Sequence, residues 1–157
     1  MRRIQVIAIV LFVGAASARA QDPQTAMIMT TVHKVFDAMR TRDTVLLASA
    51  FDTTARLVGP PRNNGTSVSL ITPSQFGAAL TRAPAGDVWN ERIYDAEVRI
   101  DGDVATVWAY YTFHRNKEFS HCGVDAFMLR QIAGQWKITQ LSDSRRTTNC
   151  THTEPPG

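Results

Sequence analysis

Residues 89 to 143 restrict the possible folds more than any other stretch. They contain four runs of alternating apolar and polar residues, separated by tight-turn signals, and read as an antiparallel meander. From Trp89 the period is two, with Ile93, Asp95, Glu97 and Arg99 on one side and Tyr94, Ala96, Val98 and Ile100 on the other. Asp101-Gly102-Asp103 is a hairpin turn. Val104 to His114 then sets Trp108, Tyr110, Thr112 and His114 against Val107, Ala109, Tyr111 and Phe113. The third run, about Phe119 to Ile132, places His121, Gly123, Asp125, Phe127 and Leu129 on one face, and Cys122, Val124, Ala126, Met128 and Arg130 on the other. The last run, Trp136 to Leu141, opposes Trp136 and Ile138 to Lys137, Thr139 and Leu141. A sheet of this kind needs a helical cover on one face.

The upstream residues supply that cover. Ile28, Val32, Val35, Phe36 and Met39 recur at spacings of three and four, which predicts a helix capped at Thr25 and running to about Thr41. Asp43 caps a second, short helix whose buried side is Leu46, Leu47, Ala50 and Phe51. Ala55 to Val58 and Ser67 to Ile71 have room for short strands around the Gly59-Pro60-Pro61 stop and the Arg62 to Thr66 turn, where Asn64-Gly65-Thr66 also matches a glycosylation acceptor. Thr72-Pro73 joins an N-cap to proline at the first helical position and starts a third helix through Phe76, Ala79 and Leu80.

Residues 1–20 read as a secretory signal peptide: Met1-Arg2-Arg3 is positive, Ile4 to Val13 is apolar apart from Gln5, and Ala18-Arg19-Ala20 is a small-x-small cleavage site. The expected mature chain is a single domain over 21–150 followed by a disordered tail, 151–157, in a secreted or periplasmic location. Cleavage after Ala20 removes Arg2, Arg3 and Arg19 from the 17 basic residues, leaving 14 against 14 acidic ones. A net charge near zero gives no support for nucleic acid or an anionic membrane as partner. The two cysteines of an exported chain, Cys122 and Cys150, are expected to form a bridge that pins the tail to the sheet.

The order of elements, with Val35-Phe36-Asp37-Ala38, His121-Cys122-Gly123-Val124-Asp125-Ala126-Phe127, Gly134-Gln135-Trp136-Lys137-Ile138 and Asp143-Ser144-Arg145-Arg146, resembles the nuclear transport factor 2-like superfamily, within it the exported SnoaL-like and lumazine-binding-like proteins. The resemblance covers about residues 25 to 146. It implies an α+β cone in which a curved, mostly antiparallel sheet wraps three N-terminal helices around a pocket, and in which homodimers through the outer sheet face are common. It also implies functional breadth, since fold does not choose a chemistry.

Asp125 is the foremost candidate residue, because it interrupts an apolar strand and shares a face with His121. Four residues along a strand span about 13 Å, so the two would line one pocket without touching. An apolar pocket would raise the Asp125 pKa and prepare it as a general acid or base. The alternative is a structural ion pair with Arg145 or Arg146. Asp143, Arg145 and Arg146 face the same choice between a rim clamp for a carboxylate or phosphate and the neutralisation of nearby acids. Tyr94, Trp108, Tyr110, His114 and Phe127 are candidate pocket walls, with ordinary sheet packing as their alternative.

His121 and Cys122 point to opposite faces, which disfavours a thiol dyad. The spacings of metal sites, phosphate loops and nucleophile elbows are absent from the sequence, and neither a metal nor a cofactor is expected. Three functions remain. The first is an exported domain binding a small apolar or aromatic ligand. The second is a cofactor-independent lyase or isomerase in which Asp125 or His121 moves a proton and Arg146 or Tyr110 stabilises the oxyanion. The third is an interaction module using the outer sheet face.

Overall fold

The computed structural model describes residues 22–61 and 65–155. The segment read as a signal peptide and Asn64 of the glycosylation match lie outside the described residues. Three helices come first: α1 (Pro23–Thr41), α2 (Thr44–Ala50) and, after β1 (Phe51–Gly59) and β2 (Ser69–Ile71), α3 (Pro73–Arg82). The meander follows as β3 (Trp89–Asp101), β4 (Val104–Arg115), β5 (Glu118–Ile132) and β6 (Gln135–Asp143). Helix α1 starts earlier than its apolar stripe suggests, because Asp22 accepts from the backbone of Gln24 and Pro23 occupies the first turn. The expected caps of α2 and α3 are in place, and Thr72 and Gln75 complete a reciprocal capping box.

The strands form one six-stranded sheet in the order β2-β1-β6-β5-β4-β3. Only the β1–β6 pair is parallel among these; the other four are antiparallel. The sheet curves around the helices, whose stripe of Ile28, Val32, Val35, Phe36 and Met39 packs with Val107, Phe127, Leu129, Trp136 and Ile138 in one core. Phe36 meets Phe127 edge to face at 6.2 Å. This is the α+β cone that the sequence predicts.

Three bulges within the β3–β6 meander bend it and reset its alternation. In β3, Asp95 and Ala96 stand opposite one residue of β4, and Asp95 takes a φ of 50°. Ile93 therefore joins Val98 and Ile100 on the concave face and leaves Glu97 and Arg99 on the convex one, where the unbroken alternation had put all three together. In β5 the extra residue is Ser120, and in β6 it is Thr139. The β6 bulge turns Leu141, read as opposing Ile138, onto the concave face beside it.

Cys122 and Cys150 are joined by a disulfide with Cα atoms 5.9 Å apart. The tail beyond β6 runs back over the convex face, and its first residues are held there rather than loose. Arg146 pairs with the Cys122 backbone, the Tyr110 hydroxyl donates to Thr151 O at 3.0 Å and accepts from Thr151 N at 2.9 Å, and His152 stacks on Tyr94 at 4.1 Å. Replacing both cysteines by alanine is expected to lower stability by on the order of 3 kcal/mol, from a bridge that closes 28 residues in the unfolded chain. Denaturant unfolding measures this. An unchanged midpoint would show that the bridge contributes nothing. Among the described residues no helix is long and apolar enough to cross a membrane.

Candidate functional site

The concave face carries its polar groups at the end nearest the start of β3 and the end of β5's partner strands. Register sets them in rows. Glu91 lies across from Phe113, and Phe113 from His121; Ile93 lies across from Tyr111, and Tyr111 from Gly123; Ala109 lies across from Asp125, and Asp125 from Asp143. Strands β3 and β5 are separated by β4, a gap of about 10 Å in a flat sheet. Curvature and the long Glu91 side chain close it, and the small side chain of Ala109 lies across from Asp125. The Glu91 and Asp125 carboxyl groups are in hydrogen-bond contact.

Two carboxyls this close share a proton. Asp125, 2% exposed, is the one that holds it and donates to Glu91. Burial first, then the charge and hydrogen bond of Glu91 and the charge of Asp143, push the Asp125 pKa well above the usual carboxylate range, with Arg145 opposing. Burial and Asp143 push Glu91 up to about 7, against the Asp125 hydrogen bond and Arg145. No donor among the described residues other than that shared proton reaches the buried Oδ2 of Asp125.

His121 lies in the same row as Glu91 with Phe113 between them, its Nδ1 2.9 Å from the Ser120 hydroxyl and its ring against Phe113 and Tyr111. Burial, then the nearby Arg145 charge, lowers its pKa to about 4, so the imidazole is neutral at ordinary pH. The Tyr111 hydroxyl donates to Ser144 O at 2.9 Å, and burial holds it un-ionised. Arg145, exposed at the rim, is 3.5 Å from Asp143 Oδ2. From α1, Arg40 reaches the Glu91 carbonyl at 3.5 Å and pairs with Asp37.

The structure thus brings Asp125 and His121 to one end of the concave face and separates Arg146 from them. Its guanidinium lies 5.6 Å over the Tyr110 ring on the convex face, so neither arginine is the ion-pair partner expected for Asp125: Arg145 meets Asp143 and Arg146 meets Tyr110. The expected pocket walls also divide. Phe127 is concave but buried in the core; Tyr94, Trp108, Tyr110 and His114 are convex. Trp108 is 57% exposed, and His114 lies beneath the tail with Nε2 3.2 Å from Thr153 O. The period of two grouped the β4 residues correctly, but with both faces largely apolar it held no sign of which one lines the hollow.

Glu91 is the participant that the sequence reading missed. Its signal is the alternation Trp89, Glu91, Ile93, which places one acid on the concave face just before the β3 bulge. The β6 bulge does the same for Asp143. Two surface hollows lie elsewhere: one of about 500 Å³ around Asp87, Arg115 and Glu118, and one of about 430 Å³ on the convex face by Arg99, Trp108 and Met128. The first borders a clamp in which Arg115 holds Asp87 through two 2.8 Å bonds, and the second is a groove on the sheet's outside. Neither brings titratable groups together as the concave site does. Among the described residues no group of three or more histidine, cysteine or acidic side chains is placed to hold a metal.

A curved sheet around three helices, with convergent polar groups at its concave end, defines a nuclear transport factor 2-like domain. The chain belongs to the family described as "Putative lumazine-binding", which it matches over residues 23–141. Similar solved structures include a nuclear transport factor 2-like protein of unknown function from Shewanella baltica, 14% identical over 80% of this chain and 95% of that one, with a TM-score of 0.62. Another is a protein of unknown function from Mycobacterium tuberculosis, 15% identical over 78% and 72%, at 0.68. A third, from Novosphingobium aromaticivorans, has a cystatin-like fold and is 12% identical over 82% and 85%, at 0.66. No curated protein matches the sequence.

Proposed function

We propose that this exported domain binds a small aromatic ligand at the concave end of the cone, against the Glu91–Asp125 pair. The observation that carries the reading is Asp125: a carboxyl 2% exposed, in contact with a second carboxyl, with no other donor among the described residues on its Oδ2. Burying polar groups whose hydrogen bonds are incomplete costs a folded chain on the order of 1–3 kcal/mol, and here one shared proton serves two buried carboxyls. A site that exchanges ligand for water recovers that cost when occupied, whereas a purely structural pair does not. Half-buried Phe113 and Trp89, packed edge to face at 6.2 Å, and the His121 ring supply flat apolar surface beside the acids.

A lyase or isomerase would use the same pair to hold a proton, but the oxyanion partners assigned to it, Arg146 and Tyr110, are on the convex face. Binding is therefore the better supported activity. The outer-face interaction reading, with its homodimer, retains a strip around exposed Trp108 and Met128, since the tail covers the neighbouring part of that face. The disulfide is compatible with a secreted or periplasmic location.

Native mass spectrometry of the protein purified without denaturation tests the site. A copurifying small-molecule adduct is expected on the natural chain and is expected to be lost in Asp125→Asn. An adduct retained equally by Asp125→Asn and lost on Trp108→Ala would move the ligand to the outer face and overturn the reading.

A further inference from the structure

We propose that the C-terminal tail is a strap closed over the aromatic row of the convex face, with the Cys122–Cys150 bridge as its latch, and that exchange with a small dithiol opens it while the domain stays folded. The strap has a fixed root. Ser144 N donates to Val124 O, Val124 N donates to the Ser144 hydroxyl, and Arg146 and Cys122 exchange two backbone bonds of 2.9 Å, all against β5. Beyond Arg146, among the described residues, no backbone–backbone hydrogen bond ties the chain to the sheet.

Residues 147–155 are held down by the bridge and by three side chains of the row. Tyr110 brackets Thr151 with two hydrogen bonds, His114 places Nε2 3.2 Å from Thr153 O, and His152 stacks on Tyr94. None of the strap residues is buried, and Asn149 and His152 take left-handed φ values of 54° and 55°, which a free chain rarely holds. Ordering such a segment costs conformational entropy that so few exposed contacts do not offset. The bridge removes that cost by keeping the segment beside the row whatever the contacts contribute.

The covered surface also favours release. Thr112 lies across from Cys122 and Asn90 across from His114, and Thr112 Oγ1, His114 Nδ1 and Asn90 Oδ1 are buried without a hydrogen-bond partner among the described residues. Lifting the strap gives water access to these rows and to Tyr94 and Tyr110, which extends the exposed aromatic strip that starts at Trp108.

Cys122 is 0% exposed and Cys150 is partly exposed, so attack falls on the Cys150 sulfur. A thiolate of the reductant bonds to Cys150 Sγ, the Cys122–Cys150 bond breaks, and Cys122 leaves as a thiolate and takes up a proton. The second thiol of the reductant then displaces Cys150 from the mixed disulfide. The protein ends with two thiols, having gained two electrons and two protons, and the reductant leaves as its own disulfide.

Amide hydrogen exchange and histidine ring-proton shifts, read by NMR on the mature chain with and without dithiothreitol, test the strap. With the bridge open, the Thr151 amide is expected to exchange about tenfold faster or more, the scale for loss of a protecting hydrogen bond, and the His152 ring signals to move to the positions of an unstacked histidine. The Ser144 and Arg146 amides at the root should keep their protection, and the near-ultraviolet circular dichroism should retain folded-state signal. Cys150→Ala, without reductant, should reproduce the opened state. Thr151 and His152 unchanged in the reduced chain or in Cys150→Ala would overturn the latch. A bridge that dithiothreitol cleaves only under denaturing conditions, or root amides that lose protection together with Thr151, would overturn the strap as a separately opening unit.

Discussion

Exchanging both carboxyls for amides, Glu91→Gln with Asp125→Asn, is expected to reverse the pH dependence of stability between about pH 4.5 and 7. In the natural chain Glu91 titrates near 7 when folded and near its ordinary value of 4.5 when unfolded. Over that window the folded state binds more protons than the unfolded state, so stability falls as pH rises. A shift of this size corresponds to on the order of 3 kcal/mol. Asp125, raised further by burial and by Glu91, acts in the same direction. His121 acts in the opposite one: with a folded pKa near 4, below its ordinary 6.5, it contributes stability above pH 6.5 that is lost as pH falls toward 4.

Two carboxyls outweigh one imidazole, so the natural protein should be more stable at pH 5 than at pH 7. The double amide leaves His121 alone and should be more stable at pH 7 than at pH 5. Urea unfolding at the two pH values reads both signs. A natural chain that gains stability from pH 5 to 7 would show that the pair does not hold its proton in the folded state.

The second large effect is expected at Gly123. A Cβ there would stand 1.9 Å from Ser144 O, 2.8 Å from Ser144 C and 2.8 Å from Tyr111 Cε1. The first two are backbone atoms, held by Ser144 N donating to Val124 O at 2.9 Å and by the Arg146–Cys122 bridge next to it. Neither can swing away as a side-chain tip would. Gly123→Ala should therefore cost on the order of 3 kcal/mol or more, above the usual penalty of overpacking because backbone must move. It should also break the Tyr111 hydroxyl bond to Ser144 O and displace Arg145 from the rim. Thermal unfolding measures the first effect, and a change in the near-ultraviolet tyrosine signal reports the second. A variant as stable as the natural chain would mean that the segment after β6 lies farther from β5 than the structure places it.

Much of the fold was legible along the chain. The stripe Ile28, Val32, Val35, Phe36, Met39 has a period that suits nothing but a one-sided helix, and the long alternations after Trp89 suit nothing but half-covered strands. Asp43 and Thr72 announce helix starts because cap and first turn are local in sequence. The pairing of Cys122 with Cys150 needed no geometry, there being two cysteines.

The site was legible in half. Asp125 and His121 stand out as polar residues in an apolar strand, and their common face follows from the period of two. Glu91 and Asp143 do not stand out, because bulges at Asp95 and Thr139 shift the alternation by one residue, and a bulge is settled by how strands pair across the sheet. The aromatic row of β4 was grouped correctly and assigned to the wrong side because both faces of that strand are largely apolar: Trp108, Tyr110 and His114 face outward, where the tail settles over part of the row. Local periodicity dictates the helices, the strands and which neighbours share a face, since those depend on backbone geometry over a few residues. Which face becomes the hollow, and which acids meet inside it, depends on long-range register and curvature, which no stretch of sequence encodes alone.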